Sequence, residues 1–316
     1  PTGIGSCTLK NRISMAPMGP VGYADSFGGF NQRLQDYYVE RAKNNVGLII
    51  TGICSVDMSI EGIPANGLPC PTSNPLAFIH STYSMNDRIH AYGSKIFLQL
   101  TGGLGRSALP GFTAKHIAPS ENTNRFDPRI THREMTKEEI MNLIRRFIES
   151  AAIAKKAGFD GVDIKCCHGY LFDEFLSAYN RTGTYGGSFE NRTRLYFNCI
   201  DAVKKALSDK MIITTRLSAY DGFPYPFGFG TSPHKEIDLT ETERILSGLQ
   251  KRQIELVNIT IGNPYLIPHI NRPFINGPED GETGVQRAVN ITGELQKKFP
   301  QLKLILSALS FKGADA

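Results

Sequence analysis

The sequence predicts an α/β protein of the (β/α)8 TIM-barrel class, and two observations favour this class. Short apolar runs recur at fairly even intervals along the 316 residues, and a plausible helix lies in each interval. The runs are apolar on both faces, as in LIITG and MIITTRL, which is typical of strands in an interior parallel sheet. Seven such units are found, so the eighth unit of a complete barrel is missing.

Seven segments are predicted as strands and six as helices. The strands, in chain order, are Ile13–Met15, Val46–Thr51, Ile96–Leu100, Gly161–Lys165, Met211–Leu217, Leu256–Ile261 and Leu302–Leu306. The helices are Gln32–Lys43, Asn86–Tyr92, Lys137–Ala157, Asn191–Leu207, Glu241–Lys251 and Val285–Phe299. Two helices begin with capping boxes, Thr136 with Glu139 and Thr240 with Glu243. A doubly wound sheet is the alternative, but no G-x-G-x-x-G motif follows any strand, which weakens a Rossmann fold.

The composition is that of a globular protein, with 41% hydrophobic and 21% charged residues, which excludes disorder, collagen and coiled coil. The net charge of +5 is scattered, so we expect no nucleic-acid partner, whereas an anionic small ligand fits.

No apolar stretch is long enough to span a bilayer and the chain begins without an export pattern, so we expect a cytoplasmic protein without a membrane partner. Six cysteines without a C-x-x-C motif indicate reduced thiols. No linker interrupts the pattern, so residues 1–316 are predicted to form one domain.

Gln99 and Arg216 are polar residues on apolar strands, and the active site of a βα barrel lies at the C-terminal ends of its strands. Gln99 precedes the glycine-rich loop TGGLGR, through which a flat ligand or a phosphate can approach the backbone. Its amide offers a donor and an acceptor side by side, and a surface glutamine is the alternative. A guanidinium within MIITTRL needs an acceptor or an anion, and pairing with a carboxylate such as Asp163 is the structural alternative.

The segment DIKCCHGY, residues 163–170, is the densest in reactive groups. Alternation along the strand directs Asp163 and Lys165 into the barrel mouth. The two cysteines and the histidine are not expected to bind a metal, because adjacent extended residues point to opposite sides. Lys165 is suited to forming a Schiff base, unless it extends to solvent instead. His168 and Tyr170 offer a neutral donor and a phenol, the groups that polarise a carbonyl and deliver a proton.

Five motifs, LKNRISMAPM, GLIITG, QLTGGLGR, HGYLFDEFLSAYNRTGTYGGSFENRTR and TTRLS, resemble those of the old yellow enzyme family of FMN-dependent NAD(P)H:flavin oxidoreductases in order and spacing. The resemblance covers nearly the whole chain, and the fourth motif is its most specific part. The branch is similar to the enoate reductases, the 2,4-dienoyl-CoA reductases and trimethylamine dehydrogenase. The resemblance implies a (β/α)8 barrel with FMN at its mouth and the FMN phosphate in loops after the seventh and eighth strands.

The resemblance also implies which residues contact the cofactor. They are Pro17, Met18, Gly19, Gly52, Gln99, Arg216 and Ala308. Pro17, Met18 and Gly52 line the isoalloxazine, and Gln99 reads its pyrimidine edge. Arg216 lies against N1 and O2, where a cation stabilises the anionic reduced flavin.

The substrate side is implied in the same way. His168 hydrogen-bonds the activating carbonyl of the substrate, and Tyr170 donates a proton on the face opposite hydride transfer. Lys165 replaces the histidine or tyrosine of relatives, and a lysine can hold a carboxylate or carbonyl, which fits an acidic or CoA-type substrate. Arg106 and Tyr265 fall in substrate loops. Gly19 replaces the threonine or cysteine that many members place beside flavin O4.

The C-terminal part departs from the family pattern. The seventh strand, LKLILSALS, is followed closely by FKGADA, which resembles the segment before the eighth strand. We therefore expect that the helix between those strands and the phosphate-binding Gly-Arg pair are missing from this sequence. Larger relatives carry a 4Fe–4S cluster and FAD in C-terminal domains, which here require an extension beyond residue 316.

The sequence therefore predicts an FMN-dependent ene-reductase that passes hydride from NADH or NADPH to the β-carbon of an enone, enoate or enoyl-CoA, with Tyr170 as the proton donor. A flavin-dependent amine dehydrogenase or N-demethylase is the first alternative, although Lys165 repels a cationic amine. A flavin-free lyase that forms a Schiff base on Lys165 and a barrel retained as a binding module are the others. The predicted partner is a small alkene, and a homo-oligomer is compatible with the sequence.

Overall fold

A computed structural model describes residues 1–19, 22–207, 211–307 and 309. Its backbone divides into two compact units, one formed by Pro1–Lys165 with Leu195–Thr214 and the other by Cys166–Arg194 with Thr215–Ala316. The boundary falls within two strands, so each unit holds part of each. None of the helices in the described part of the chain combines the length and apolarity that crossing a bilayer requires.

The first unit consists of parallel strands that alternate with helices. In chain order its elements are β1 (Thr2–Ile4), β2 (Cys7–Leu9), β3 (Ser14–Met15), α1 (Gln32–Lys43), β4 (Leu48–Ile50), β5 (Cys54–Ser55), α2 (Met58–Glu61), α3 (Pro75–Ala91), β6 (Lys95–Thr101), β7 (Ile117–Ala118), β8 (Asn122–Thr123), β9 (Thr131–Glu134), α4 (Lys137–Lys156) and β10 (Gly161–Cys166). Strands β3, β4, β6 and β10 pair in this order, all parallel. Residues 48–50 are fully buried, as expected for strands covered on both faces.

The second unit continues the same alternation. Its elements are α5 (Leu171–Leu176), α6 (Phe189–Arg192), β11 (Ile212–Tyr220), α8 (Thr240–Lys251), β12 (Leu256–Ile261), α9 (Pro268–Asn271), α10 (Gly281–Lys298) and β13 (Lys303–Leu306), while α7 (Arg194–Leu207) belongs almost wholly to the first unit. Strands β11, β12 and β13 are parallel neighbours, with Arg216 opposite Asn258 and Asn258 opposite Ile305. Parallel strands followed by helices in both units are the architecture of the (β/α) barrel class that the sequence predicts.

All seven predicted strands are present, and one capping box is confirmed. The Thr136 hydroxyl accepts from the Glu139 amide at 3.2 Å, and the Glu139 carboxylate accepts from the Thr136 amide at 2.9 Å. The second box is wrong, because the carboxylate of Asp238 accepts from the Thr240 amide at 2.9 Å and Thr240 is already helical. The side chain of Glu243 pairs with Lys298 instead.

Three predicted helix bounds are wrong for local reasons. Helix α3 begins at Pro75 rather than Asn86, because the Asn74 side chain caps it by accepting from the Ala77 amide at 3.1 Å. Helix α10 begins at Gly281 rather than Val285, where Asp280 provides the cap. The predicted helix over residues 191–207 is two helices, which separate at Thr193. Two small sheets were not predicted, the antiparallel β1–β2 pair and the sheet β7–β9–β8.

Candidate active site

Gln99 lies on β6 and is completely buried, so the surface-glutamine interpretation is wrong. Its Nε2 donates to Oδ1 of Asp163 at 2.7 Å, and the Thr214 hydroxyl donates to the other oxygen of that carboxylate at 2.9 Å. The carboxylate therefore orients the amide of Gln99. The buried Oε1 of Gln99 has no hydrogen-bond partner among the described residues. This arrangement leaves an acceptor available for a ligand that carries an N–H group.

Gly52 follows β4 and is linked to Gln99 through Thr51. The Gln99 amide donates to the Thr51 hydroxyl at 3.0 Å, and that hydroxyl donates to the Gly52 carbonyl at 2.9 Å. The Gly52 amide donates to the hydroxyl of Tyr38 at 2.8 Å, and burial raises the pKa of this tyrosine well above its ordinary value. The phenol therefore stays neutral.

Pro17, Met18 and Gly19 form the turn after β3 in the same unit. Pro17 is buried, whereas Met18 is 49% exposed and Gly19 is also exposed. A Cβ atom at Gly19 would lie 3.4 Å from the Ile53 side chain, which is an ordinary van der Waals contact.

The loop after β6 is held by a residue that the sequence analysis missed. Glu61, at the end of α2, is 2% exposed, and its two carboxylate oxygens accept from the amides of Leu104 and Gly105, both at 2.7 Å. Charge-assisted bonds of this kind set the path of the glycine-rich segment. Arg106 in this loop donates from Nε to the Thr123 carbonyl at 2.7 Å.

Lys165 is the fifth residue of β10 and is only 4% exposed. A lysine extending to solvent, which was the alternative for this residue, is not what the structure shows. Burial of an ammonium group is costly unless anionic or polar groups surround it.

His168 lies in the turn after β10 with a backbone φ of +66°, and Gly169 follows with a φ of +67°. The Asn263 side chain donates to the His168 carbonyl at 2.6 Å, and the Asp173 carboxylate accepts from the Gly169 amide at 2.6 Å. These bonds hold a turn in which a residue with a side chain adopts a left-handed conformation.

The imidazole of His168 is buried and oriented by two side chains. Its Nε2 lies 3.2 Å from the Thr260 hydroxyl and 3.2 Å from Nδ2 of Asn271. The Asn271 amide also lies 2.7 Å from the Ile261 carbonyl and 3.0 Å from the Thr260 hydroxyl, so its two N–H groups face three acceptors. These two contacts hold the imidazole ring in place.

Tyr170 and Tyr265 are brought together in the second unit. Their hydroxyl oxygens are 2.6 Å apart, and their rings are parallel within 2° at a centroid distance of 6.2 Å. Tyr170 is 6% exposed and Tyr265 is 47% exposed. The side chain of Asn263 accepts from the Tyr265 amide at 2.9 Å, so one amide supports both His168 and Tyr265.

Arg216 is 6% exposed on β11, and its Nη2 donates to the Ser307 hydroxyl at 3.2 Å. Its register partner Asn258 is 1% exposed, and both polar atoms of the Asn258 side chain lack a hydrogen-bond partner among the described residues. Partners in a parallel pair share a face of the sheet, so a cation and an unsatisfied amide lie side by side there. Ala308 lies outside the described residues.

Asn263, Asn271, Asn258 and Glu61 are the polar residues that the sequence analysis did not find. Asn258 lies on the apolar strand β12 and Asn263 follows its end. Gln99 was singled out as a polar residue on an apolar strand, and the same reasoning applies to these two residues. Asn271 and Glu61 carry no such signal, because they lie far along the chain from the groups they bind. No cluster of histidine, cysteine or acidic residues in the described ranges could hold a metal ion.

The sequence model of the NADH:flavin oxidoreductase / NADH oxidase family matches residues 1–244. The chain belongs to this family. The chain is 47% identical over 222 residues to a cinnamate reductase from Clostridium sporogenes, and the alignment covers 69% of the chain and 33% of that relative. The chain thus spans about a third of the length of that relative.

Two solved structures resemble the chain in fold. An old yellow enzyme homologue from Zymomonas mobilis aligns with a TM-score of 0.67 and 27% identity, covering 92% of this chain and 85% of its own. Histamine dehydrogenase from Rhizobium sp. 4-9 aligns with a TM-score of 0.67 and 26% identity, covering 83% of this chain and 36% of its own. The predicted family and barrel fold are both confirmed.

The polar groups of Gln99, and those of Arg216 with Asn258, have a chemistry that suits the FMN used by this family. The pyrimidine edge of a flavin carries an N–H group, and the unsatisfied Oε1 of Gln99 is an acceptor for such a group. Arg216 provides a buried cation next to the unsatisfied amide of Asn258, which suits an electron-rich carbonyl edge.

Proposed function

We propose that the chain reduces the carbon–carbon double bond of an α,β-unsaturated carboxylate, using FMN and hydride from NADH or NADPH. The observation that carries this proposal is the segment Lys165–Tyr170, in which a buried cation, a buried imidazole and a buried phenol follow one strand. The similarity to a cinnamate reductase supports a carboxylate over an enone or an enoyl-CoA.

Each residue of the segment has a distinct role in this proposal. Lys165 binds the carboxylate as a point charge, and the imidazole of His168 donates to the activating oxygen, which draws electron density from the alkene. FMN, when bound, supplies the hydride that reaches the β-carbon. Tyr170 then donates its hydroxyl proton to the α-carbon, where negative charge develops.

The cofactor residues follow the family resemblance. Gln99 accepts from the flavin N–H, Arg216 stabilises negative charge at N1 and O2, and Gly52 allows close approach of the ring. Pro17, Met18, Gly19 and Ala308 are further contacts in this proposal. A 4Fe–4S cluster and FAD in a C-terminal extension, and a homo-oligomer, also remain proposals.

Amine oxidation is the second candidate, since a histamine dehydrogenase shares the fold. A buried lysine in the substrate region repels a cationic amine, so the alkene is favoured. A Schiff-base lyase is tested separately, by trapping a carbonyl compound on Lys165 with borohydride. Trapping without any flavin-dependent turnover would support the lyase.

The test of the proposed function separates the two half-reactions in stopped flow, with Tyr170→Phe as the variant and cinnamate as the alkene. A positioned general acid contributes about 10²- to 10⁴-fold, so reoxidation of the flavin by cinnamate is expected to slow by that factor. Flavin reduction by NADH or NADPH needs no proton from Tyr170 and is expected to persist. Equal slowing of both half-reactions, or of neither, would contradict the proposed role of Tyr170.

A further inference from the structure

We propose that Tyr265 returns a proton from solvent to Tyr170 after each turnover, so that the two phenols form a relay. This proposal rests on the proposed function, in which Tyr170 gives its proton to the α-carbon. Tyr170 is nearly buried and its hydroxyl lies 2.6 Å from that of Tyr265, which is about half exposed. The pair thus joins the reaction site to bulk water.

The relay conserves protons at every step. The O–H bond of Tyr170 breaks as a C–H bond forms on the substrate, which leaves a phenolate. The Tyr265 hydroxyl transfers its proton across the 2.6 Å hydrogen bond, and Tyr265 then takes a proton from water. The overall change is the uptake of one solvent proton for each hydride delivered.

The local structure supports a fixed pair rather than a chance contact. The amide of Asn263 holds the Tyr265 backbone by accepting at 2.9 Å and holds the His168 carbonyl by donating at 2.6 Å. Tyr170 begins α5 directly after the His168 turn. Asn263 therefore holds the Tyr265 backbone next to the turn that leads into Tyr170. In the relay, Tyr265 is a positioning residue that acts through Tyr170.

Two variants of Tyr265 distinguish a relay from simple packing. Tyr265→Phe keeps a ring over Tyr170 and removes only the hydroxyl, so water stays excluded and the relay is broken. Tyr265→Ala removes the ring and lets water reach Tyr170 directly. A relay makes the Phe variant slower than the Ala variant at steady state, whereas a packing role makes the Ala variant slower.

The experiment measures a single turnover and the steady state with cinnamate, and with 2-cyclohexenone if cinnamate is not reduced. For Tyr265→Phe we expect a first turnover close to that of the native enzyme and a steady-state rate lower by about tenfold or more, since positioned proton transfer is worth at least that much. Tyr92→Phe is the matched control, because Tyr92 is 46% exposed and lies on the surface at the end of α3. It is expected to leave both rates unchanged.

The outcomes separate this inference from the proposed function. If Tyr170→Phe slows alkene reduction but Tyr265→Phe has the single-turnover and steady-state rates of the native enzyme, the relay is overturned while the proposed function stands. An Ala variant slower than the Phe variant also overturns the relay. If Tyr170→Phe has no effect, or neither alkene is reduced, the proposed function and the relay fail together.

Discussion

Lys165 is the residue that most restricts the choice of substrate. The residue is 4% exposed on β10, and the resemblance places a histidine or tyrosine there in other members. Lys165→Met removes the charge and keeps the length of the side chain. A charge-assisted hydrogen bond is worth about 1.5–3 kcal/mol, so KM for cinnamate is expected to rise roughly ten- to a hundredfold.

Steady-state kinetics with cinnamate and with cinnamaldehyde measure this effect, because only the acid carries a carboxylate. Flavin reduction by NADH or NADPH is expected to be unchanged. Lys251→Met, at an exposed position on α8, is the control. An equal rise in KM for acid and aldehyde would show that Lys165 does not select the carboxylate.

Arg216 is the residue on which cofactor binding is expected to depend most. Arg216→Ala leaves the unsatisfied amide of Asn258 without a neighbouring cation. Loss of a charge-assisted bond of about 1.5–3 kcal/mol is expected to weaken FMN binding roughly ten- to a hundredfold and to lower the flavin reduction potential. Fluorescence titration of FMN and redox titration measure the two effects.

Arg216→Lys keeps the charge but loses the planar fork, so its FMN affinity is expected to lie between those of the native protein and Arg216→Ala. Native FMN occupancy together with a native potential in Arg216→Ala would contradict the cofactor role of this residue.

At the scale of elements, Asp160 connects α3 and β6 to the start of β10. Its carboxylate accepts from His90 at 2.7 Å, from the Ile96 amide at 2.9 Å and from Lys95 at 3.0 Å. Burial acts to raise the pKa of Asp160, but these hydrogen bonds outweigh it and hold the pKa below its ordinary value of 3.8. The carboxylate is therefore more acidic in the folded protein than in the unfolded chain.

The sign of the pH effect follows from linkage. The stabilisation by Asp160 is present above pH 3.8 and is lost as the pH falls through the lower pKa of the folded state. Asp160→Asn is expected to be less stable at neutral pH and to lose less stability in acid. Urea unfolding between neutral pH and pH 3 measures this, with the exposed Asp87→Asn on α3 as control. If the free energy of unfolding falls equally with decreasing pH in Asp160→Asn and in the native protein, the role of Asp160 is contradicted.

The elements that could be predicted are those whose signal is local. The bounds of α1 and β12 match the prediction, because an amphipathic pattern or an apolar run is bounded there by polar residues. Helix α3 begins 11 residues before the predicted start, at an Asn-Pro cap. The prediction missed these first turns because the buried face over residues 78–85 is only partly apolar. Strand β7 has only two residues, both buried, and β9 has four residues of which only His132 is buried, so neither is long enough to show a periodicity.

The candidate site was predictable in part for the same reason. Gln99 and Arg216 are recognisable because a polar group on an apolar strand is unusual. Glu61 reaches the loop amides of residues 104 and 105 from more than 40 positions away, and Asn271 reaches His168 from 103 positions away. Contacts of that sequence separation arise from the tertiary fold, which a single sequence does not display.

At the scale of the whole molecule, FMN binding is expected to govern stability. A ligand that binds only the folded state stabilises it by about 2.7 kcal/mol when its concentration is a hundred times Kd. The thermal midpoint of the native protein is expected to rise with added FMN, and Arg216→Ala is expected to need more FMN for the same rise. Riboflavin, which lacks the phosphate, is the matched control ligand. A midpoint that does not respond to FMN would contradict cofactor binding by this chain.

The left-handed backbone at His168 and Gly169 has a consequence for engineering. Side chains with a branched Cβ cannot adopt a φ of +66° without strain, so a library randomised at position 168 returns mainly asparagine, glycine and histidine for backbone reasons alone. Lys165 lies in ordinary extended strand, where the backbone tolerates every residue type except proline. The backbone therefore restricts substitution at position 168 more than at position 165, so position 165 is the better target for directed evolution of substrate scope.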